Sequence, residues 1–372
     1  MPMTRWMLVA GVLALCACSG PARRAEDARI DPDVARARIL ALLPAKLDNR
    51  DGWAVDIFAA FEALELAPTD EHICAVVAVG EQETGLRVDP PIPGLPAIAR
   101  REIEARAASH NVPKLLLRGA LALPSPDGRS YSERIDAART EKALSALFED
   151  FIDAVPLGRR LFADWNPVHT AGPMQVSIAF AERYAEQRRY PYPQSGSVRS
   201  EVFTRRGGLY FGIAHLLDFP ASYDSPLYRF ADFNAGHYAS RNAAFQSAVA
   251  GLTGTPLALD GDLLIAGGAA SDASRTELAV RQLAGKLGMN DVQIRADLAK
   301  GDSVEFERSR LFLRTFELAD AQRKQPVPRA LVPVIKLNSP KITRSLTTEW
   351  FARRVHDRYR RCLALKRPTE PA

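Results

Sequence analysis

The feature that most constrains the fold is a succession of helix signals along most of the chain. Asp31 followed by Pro32 supplies an N-cap and a first-turn proline ahead of apolar residues at helical spacing. Thr69 is a second N-cap, and its segment meets Gly85, a good helix terminator. Similar patterns cover residues 51–64, 139–152, 174–187, 226–238 (with Ser225 as the expected N-cap) and 347–363. We therefore expect a mainly α fold with a few short strands.

The composition suits a folded protein with one large domain or two small ones. Of the 372 residues, 47% are apolar and 25% are charged, as in ordinary globular proteins. Near residues 254–270 Thr, Pro, Gly and Leu replace the helix-forming residues, which predicts a domain boundary. We expect a main domain of residues 32–255 and a C-terminal, mostly helical extension of residues 256–372, whose role the sequence does not indicate.

The N-terminus predicts an envelope protein. An uncharged apolar run follows Arg5 and is too short to span a bilayer, which is typical of a signal peptide. The run ends in a segment that resembles the bacterial lipobox, Leu15-Cys16-Ala17-Cys18-Ser19. We expect cleavage after residue 17, lipidation of Cys18, and a polar tether over residues 18–31. An ordinary secretory signal cut nearby is the alternative.

The lipobox resemblance also implies that the protein is located at a membrane. Ser rather than Asp at position 19 implies the outer membrane of a Gram-negative cell, facing the periplasm. The net charge of +5, from 49 basic and 44 acidic residues, suits an anionic wall or lipid surface and is too small to indicate nucleic acid binding. No later stretch is long and apolar enough to cross a membrane.

Two cysteines, Cys74 and Cys362, lie outside the N-terminal segment. In an oxidising envelope they can pair, which would close a long loop and tie the C-terminus to the core. The alternative is two separate buried thiols, because Cys is among the most buried residue types. The six histidines show no paired metal-ligand spacing, so we expect neither a metal site nor a cofactor.

Three separate segments carry a family resemblance. They are Val79-Gly80-Glu81-Gln82-Glu83-Thr84-Gly85-Leu86, Gly172-Pro173-Met174-Gln175-Val176 and Phe233-Asn234-Ala235-Gly236. In the same order they resemble the Glu-Ser-Gly-Phe, Gly-Leu-Met-Gln and Tyr-Asn-Ala-Gly segments of lytic transglycosylases and goose-type lysozymes. Thr84, Leu86 and Phe233 depart from that pattern. The whole chain also resembles a proteobacterial lipoprotein family of unknown function.

The resemblance implies a lysozyme-like catalytic domain over residues 32–255 that cleaves peptidoglycan glycan strands. Glu83 would act as acid and then as base on the bond between N-acetylmuramic acid and N-acetylglucosamine, leaving a 1,6-anhydro sugar. The residues expected to bind the substrate are Thr84, Met174, Gln175, Phe233 and Asn234. No metal or cofactor is implied.

The position of Glu83 fits general acid catalysis, which needs a carboxyl group that is protonated near neutral pH. We expect Glu83 in the last turn of an apolar helix, where poor solvation and the negative end of the helix dipole both raise a carboxyl pKa. Glu81, two residues earlier, would point elsewhere and is expected to be a surface charge.

Two other functions are compatible with the same residues. A lysozyme would use water in place of the internal sugar hydroxyl. A non-catalytic wall-binding lipoprotein would keep the groove without turnover. The departures at Phe233 and Thr84 keep this second alternative open, and Phe233 lacks a tyrosine hydroxyl that could hydrogen-bond the catalytic Glu.

Overall fold

The computed structural model describes residues 30–154, 165–193, 196–269, 272–337 and 345–365. The described residues are 60% helical with few strands, so the prediction of a mainly α protein is confirmed. Across these ranges no helix has both the length and the apolarity to cross a bilayer. The predicted signal peptide, Cys18 and nearly all of the tether lie outside the described residues.

The chain begins with seven described helices, and a short hairpin and four further helices follow. The helices of the first part are α1 (Pro32–Leu42), α2 (Arg50–Ala63), α3 (Asp70–Glu83), α4 (Leu95–Ser109), α5 (Lys114–Leu121), α6 (Tyr131–Ala137) and α7 (Glu141–Ala154). The next elements are β1 (Thr170–Ala171), β2 (Val176–Ser177), α8 (Ile178–Gln187), α9 (Val198–Val202), α10 (Arg205–Leu217) and α11 (Pro226–Ala235).

The C-terminal part is also mainly helical. It contains α12 (Ala239–Thr253), α13 (Arg275–Arg281), α14 (Ala284–Leu287), α15 (Asp291–Leu298), a 3-10 turn (Val304–Phe306), α16 (Arg310–Arg323), β3 (Lys336–Leu337), β4 (Leu346–Thr347) and α17 (Thr348–Leu363). Both strand pairs are antiparallel.

Several helices begin at the residues that the sequence predicts, because the expected caps form. Asp31 caps α1, and the Thr69 hydroxyl accepts the backbone N–H of His72 at 3.2 Å at the start of α3. Ser225 caps α11 in the same way. These side chains satisfy backbone donors that the first turn of a helix leaves without a partner.

The predicted helix over residues 174–187 is wrong at its start. Thr170 pairs with Ser177 and Ala171 with Val176, so residues 170–177 form a hairpin, and the helix begins only at Ile178. The tight turn uses left-handed backbone at Gly172 (φ 74°), which is tolerated because glycine has no Cβ.

Two hydrophobic cores organise the molecule. The first is built from α1 to α11 and from α17, which buries Phe351, Val355 and Tyr359 as it packs on α3 and α11. The second begins with Ala244 on α12 and extends through α16. The expected C-terminal extension of residues 256–372 is therefore divided, since its last helix belongs to the first core.

Cys74 of α3 and Cys362 of α17 form a disulfide, with their Cα atoms 5.5 Å apart. The prediction that the two residues lie within bridging distance is confirmed. The bond fixes the last described helix to the helix that ends at Glu83.

Candidate active site

The three segments singled out in the sequence meet at one cleft. Its volume is about 920 Å³, and its lining includes Glu83, Gln175, Phe233 and Asn234. The cleft lies between elements of the first core and the loops at the start of the second. Residues that are far apart in the chain, and that the motifs predict to form a site, therefore line the same cleft.

Glu83 is the last residue of α3 and is half-buried on the cleft wall. The rest of α3 is a core helix, with Ile73, Val76 and Val79 almost fully buried. The position of Glu83 is thus set by a helix that is packed along most of its length and tied to α17 by the disulfide. The negative end of the helix dipole lies at this carboxyl group.

Thr84 has a positioning role in this structure. It is the C-cap of α3, its hydroxyl donates to the carbonyl oxygen of Pro173 at 2.8 Å, and it accepts the backbone N–H of Arg87 at 3.1 Å. It is not part of the cleft lining. The hydroxyl links the end of α3 to the hairpin turn, so Thr84 holds Glu83 near Gln175 instead of lining the groove itself.

Met174 is fully buried, so the expectation that it lines the groove is wrong. It packs on α10 so closely that a Cβ on Gly212 would lie 2.6 Å from the Met174 sulfur. The next residue, Gln175, does line the cleft, and its amide oxygen accepts the Thr170 hydroxyl at 3.0 Å. The buried Met174 side chain thus fixes the turn to the core, and the Gln175 side chain lies at the cleft.

Phe233 and Asn234 lie at the end of α11, which terminates at Gly236. Phe233 is 8% exposed, whereas Asn234 is exposed, and both line the cleft. The Asn234 amide oxygen accepts the hydroxyl of Thr348 at 3.0 Å. Because Thr348 is the first residue of α17, the C-terminal helix begins beside the cleft.

Aromatic and imidazole rings line another part of the cleft. His215 stacks on His237 with centroids 4.6 Å apart and also contacts Phe180 and Phe233. The His215 Nε2 lies 3.2 Å from the Phe233 carbonyl oxygen, and the His237 Nε2 lies 2.8 Å from the His215 carbonyl oxygen. A carbonyl oxygen only accepts, so each Nε2 carries the hydrogen.

These two rings are uncharged near neutral pH. Burial, followed by the neighbouring His237, lowers the pKa of His215 to about 3, and burial also lowers the pKa of His237. Neutral rings beside Phe180 and Phe233 form an apolar surface. Such a surface suits contact with the C–H face of a sugar ring.

Residues 239–302 supply a second wall of the cleft, which the sequence motifs do not predict. Asp262 and Asp302 are exposed there, beside the buried Asn242. The Asn242 amide donates to the carbonyl oxygens of Gly261 and Gly301, both at 3.1 Å, and so fixes both loops. Desolvation and repulsion from the neighbouring Asp260 and Asp302 raise the pKa of Asp262.

The prediction for Glu81 also needs correction. Its carboxylate is only partly exposed and lies 3.7 Å from the Arg358 guanidinium of α17. The same guanidinium donates to the Gln82 side chain at 3.2 Å. Glu81 therefore faces the C-terminal helix, whereas Glu83 faces the cleft, as two residues at this spacing on a helix must diverge.

Within the described ranges, no group of three or more His, Cys, Asp or Glu side chains is arranged to hold a metal ion. The side chains that line the cleft form a mixed surface. It combines one helix-end carboxyl group, hydrogen-bonding amides and an aromatic surface.

The comparisons with known proteins agree on one family. The family model described as "Protein of unknown function (DUF1615)" matches residues 46–365 of this chain. The chain belongs to this family. It is also 50% identical, over 366 residues, to the "Uncharacterized protein YaiW" of Escherichia coli (strain K12), with 97% of this chain and 98% of the relative covered. The resemblance to a family of unknown function is thus confirmed, and no solved structure matches.

Proposed function

We propose that this protein is a lytic transglycosylase that cleaves peptidoglycan glycan strands. The observation that carries the proposal is the convergence of Glu83, Gln175, Phe233 and Asn234 on one cleft. These residues come from three segments far apart in sequence, and each segment resembles the matching motif of that superfamily. A lysozyme-like arrangement of the first core is part of the same proposal.

The proposed reaction uses Glu83 twice. The Glu83 carboxylic acid gives its proton to the glycosidic oxygen, and the bond between that oxygen and C1 of the muramic residue breaks. The N-acetyl oxygen of the same residue bonds to C1 and shares the positive charge. The Glu83 carboxylate then takes the proton of the C6 hydroxyl, and O6 displaces the acetamido oxygen to close the 1,6-anhydro ring.

Other cleft residues would position the strand. Gln175 and Asn234 offer amide groups that donate to or accept from sugar hydroxyl and acetamido groups. Phe180, Phe233 and His237 offer the apolar surface for a sugar face. A cleft of about 920 Å³ is at the upper end of ordinary ligand sites, which suits a segment of polymer more than a single monosaccharide.

Hydrolysis is the second candidate, and one observation favours it. Asp262 and Asp302 share the cleft with Glu83, so the protein has carboxylates that could accept a proton from an attacking water molecule. A lysozyme reaction would then replace closure of the anhydro ring.

The products distinguish these functions. We expect the chain from residue 19 onward to release fragments from purified peptidoglycan that end in 1,6-anhydro sugars, detected by mass spectrometry. Hydrolysis would give reducing ends instead, heavier by one molecule of water. Retention of the protein on peptidoglycan with no released fragment would show a binding protein and would contradict both enzymatic functions.

We also propose that Cys18 anchors the protein to the outer membrane, at its periplasmic face. Cys18→Ser should leave the protein unlipidated and soluble in the envelope, because acyl chains provide the membrane affinity. Membrane fractionation and the intact mass measure this, with Cys16→Ser as the matched control that keeps the anchor. Unchanged fractionation and unchanged mass of the Cys18 variant would disprove the anchor.

A further inference from the structure

The cleft contains a cation that the proposed reaction does not use. Arg183 lies on α8, one turn after Phe180, and both residues line the cleft. The Arg183 side chain is exposed, and no carboxylate of the described ranges forms an ion pair with it. Its charge lies close enough to His215 to contribute to the lowered pKa of that ring. An arginine that lines a cleft and has no ion-pair partner among the described residues is available to a ligand.

The wall from the second core has the opposite charge. Asp262 and Asp302 stand on loops that buried side chains of α12 hold in place. Gln246, which is 1% exposed, also holds the first of these loops. Its side chain donates to the Asp260 carboxylate at 2.8 Å and accepts the Gly261 N–H at 2.9 Å. The loops that carry these carboxylates are thus held in place, and the cleft is basic at α8 and acidic at these loops.

We propose that Arg183 is a specificity-determining residue that binds carboxylate groups carried by the glycan strand. The inference rests on the proposed function and names its substrate class: glycans whose sugars bear carboxylate-containing substituents, in preference to uncharged glycans. A guanidinium presents a planar fork of N–H donors that matches a carboxylate with two parallel hydrogen bonds. Asp262 and Asp302 repel the same carboxylate, so the charge pattern also selects one orientation of the strand.

The test measures binding without turnover, in the Glu83→Gln background. One ligand is a purified peptidoglycan strand that carries its carboxylate-bearing substituents, and the other is a chito-oligosaccharide of equal sugar number without carboxylates. We expect Arg183→Gln to weaken binding of the carboxylated strand by about ten- to a hundred-fold, since a hydrogen-bonded charge contributes on that scale. Binding of the chito-oligosaccharide should not change.

Two further variants sharpen the result. Arg183→Lys should retain part of the preference, because it keeps the charge but loses the planar fork. Arg189→Gln is the matched control, since Arg189 is an exposed arginine just after α8 that does not line the cleft. We expect it to bind both ligands as the parent does.

An equal loss for both ligands in Arg183→Gln, or no loss for either, would overturn the inference. Carboxylate-selective binding together with no cleavage by the wild-type chain would leave the inference standing and overturn the proposed catalysis instead. Failure of the parent to bind either ligand would overturn both.

Discussion

Glu83→Gln is expected to lower the rate of peptidoglycan cleavage by about a hundred- to ten-thousand-fold, the range that acid–base catalysis usually contributes. Glutamine keeps the shape of the side chain and much of its hydrogen bonding but cannot deliver a proton. The fold should survive, because Glu83 is a half-buried residue at a helix end and not part of the core. The initial rate of fragment release measures the effect, and thermal unfolding confirms that the variant is folded.

Two glutamate variants serve as controls for this result. Glu81→Gln removes a carboxylate from the same helix turn and loses only the contact with Arg358. Glu62→Gln changes an exposed residue of α2 that does not line the cleft. We expect a far smaller loss of rate in both. A loss in Glu81→Gln equal to that in Glu83→Gln would point to disturbance of the helix end and would contradict a chemical role for Glu83.

Removal of the disulfide should have the largest effect on stability. The bond between Cys74 and Cys362 joins residues 288 positions apart, so it strongly restricts the unfolded chain. We expect the Cys74→Ala, Cys362→Ala double variant to lose about 2–5 kcal/mol of unfolding free energy, the usual range for a native disulfide. Urea unfolding under oxidising conditions measures the loss.

The reduced wild-type protein is the control for that experiment. It should unfold at nearly the same urea concentration as the double variant. Both proteins lack the cross-link, and they differ only in the two side chains at positions 74 and 362. Equal midpoints for the oxidised wild type and the double variant would contradict a stabilising bond.

Local patterns were enough to predict the helical class and several helix starts. Asp31, Thr69 and Ser225 act as caps because the capping bond depends only on residues within one turn. The start of α8 at Ile178 could not be predicted in this way. There the pairing of Thr170 with Ser177 overrides the apolar pattern, and strand pairing depends on residues outside any helical window.

The candidate site was only partly predictable, for a similar reason. The motifs placed Glu83, Gln175, Phe233 and Asn234 on the cleft, but they could not tell which neighbours face inward. Met174 is taken into the core by its contact with Gly212.

The second wall of the cleft depends on long-range contacts. Asp262 and Asp302 reach it through loops held by Asn242, and only the tertiary structure brings them into the same cleft as Glu83. Paired Gly-Asp steps at residues 261–262 and 301–302 are the local signal that was available. By itself, such a step indicates no more than a turn.

The most direct test of the central claim is a crystal structure of the Glu83→Gln variant with a peptidoglycan oligosaccharide bound. We predict that the strand lies in the cleft between Gln175 and Asn234, with a glycosidic oxygen about 2.6–3.2 Å from the side chain at position 83, the reach of a general acid. A strand bound elsewhere, or one in the cleft with no glycosidic oxygen within reach of that side chain, would contradict it.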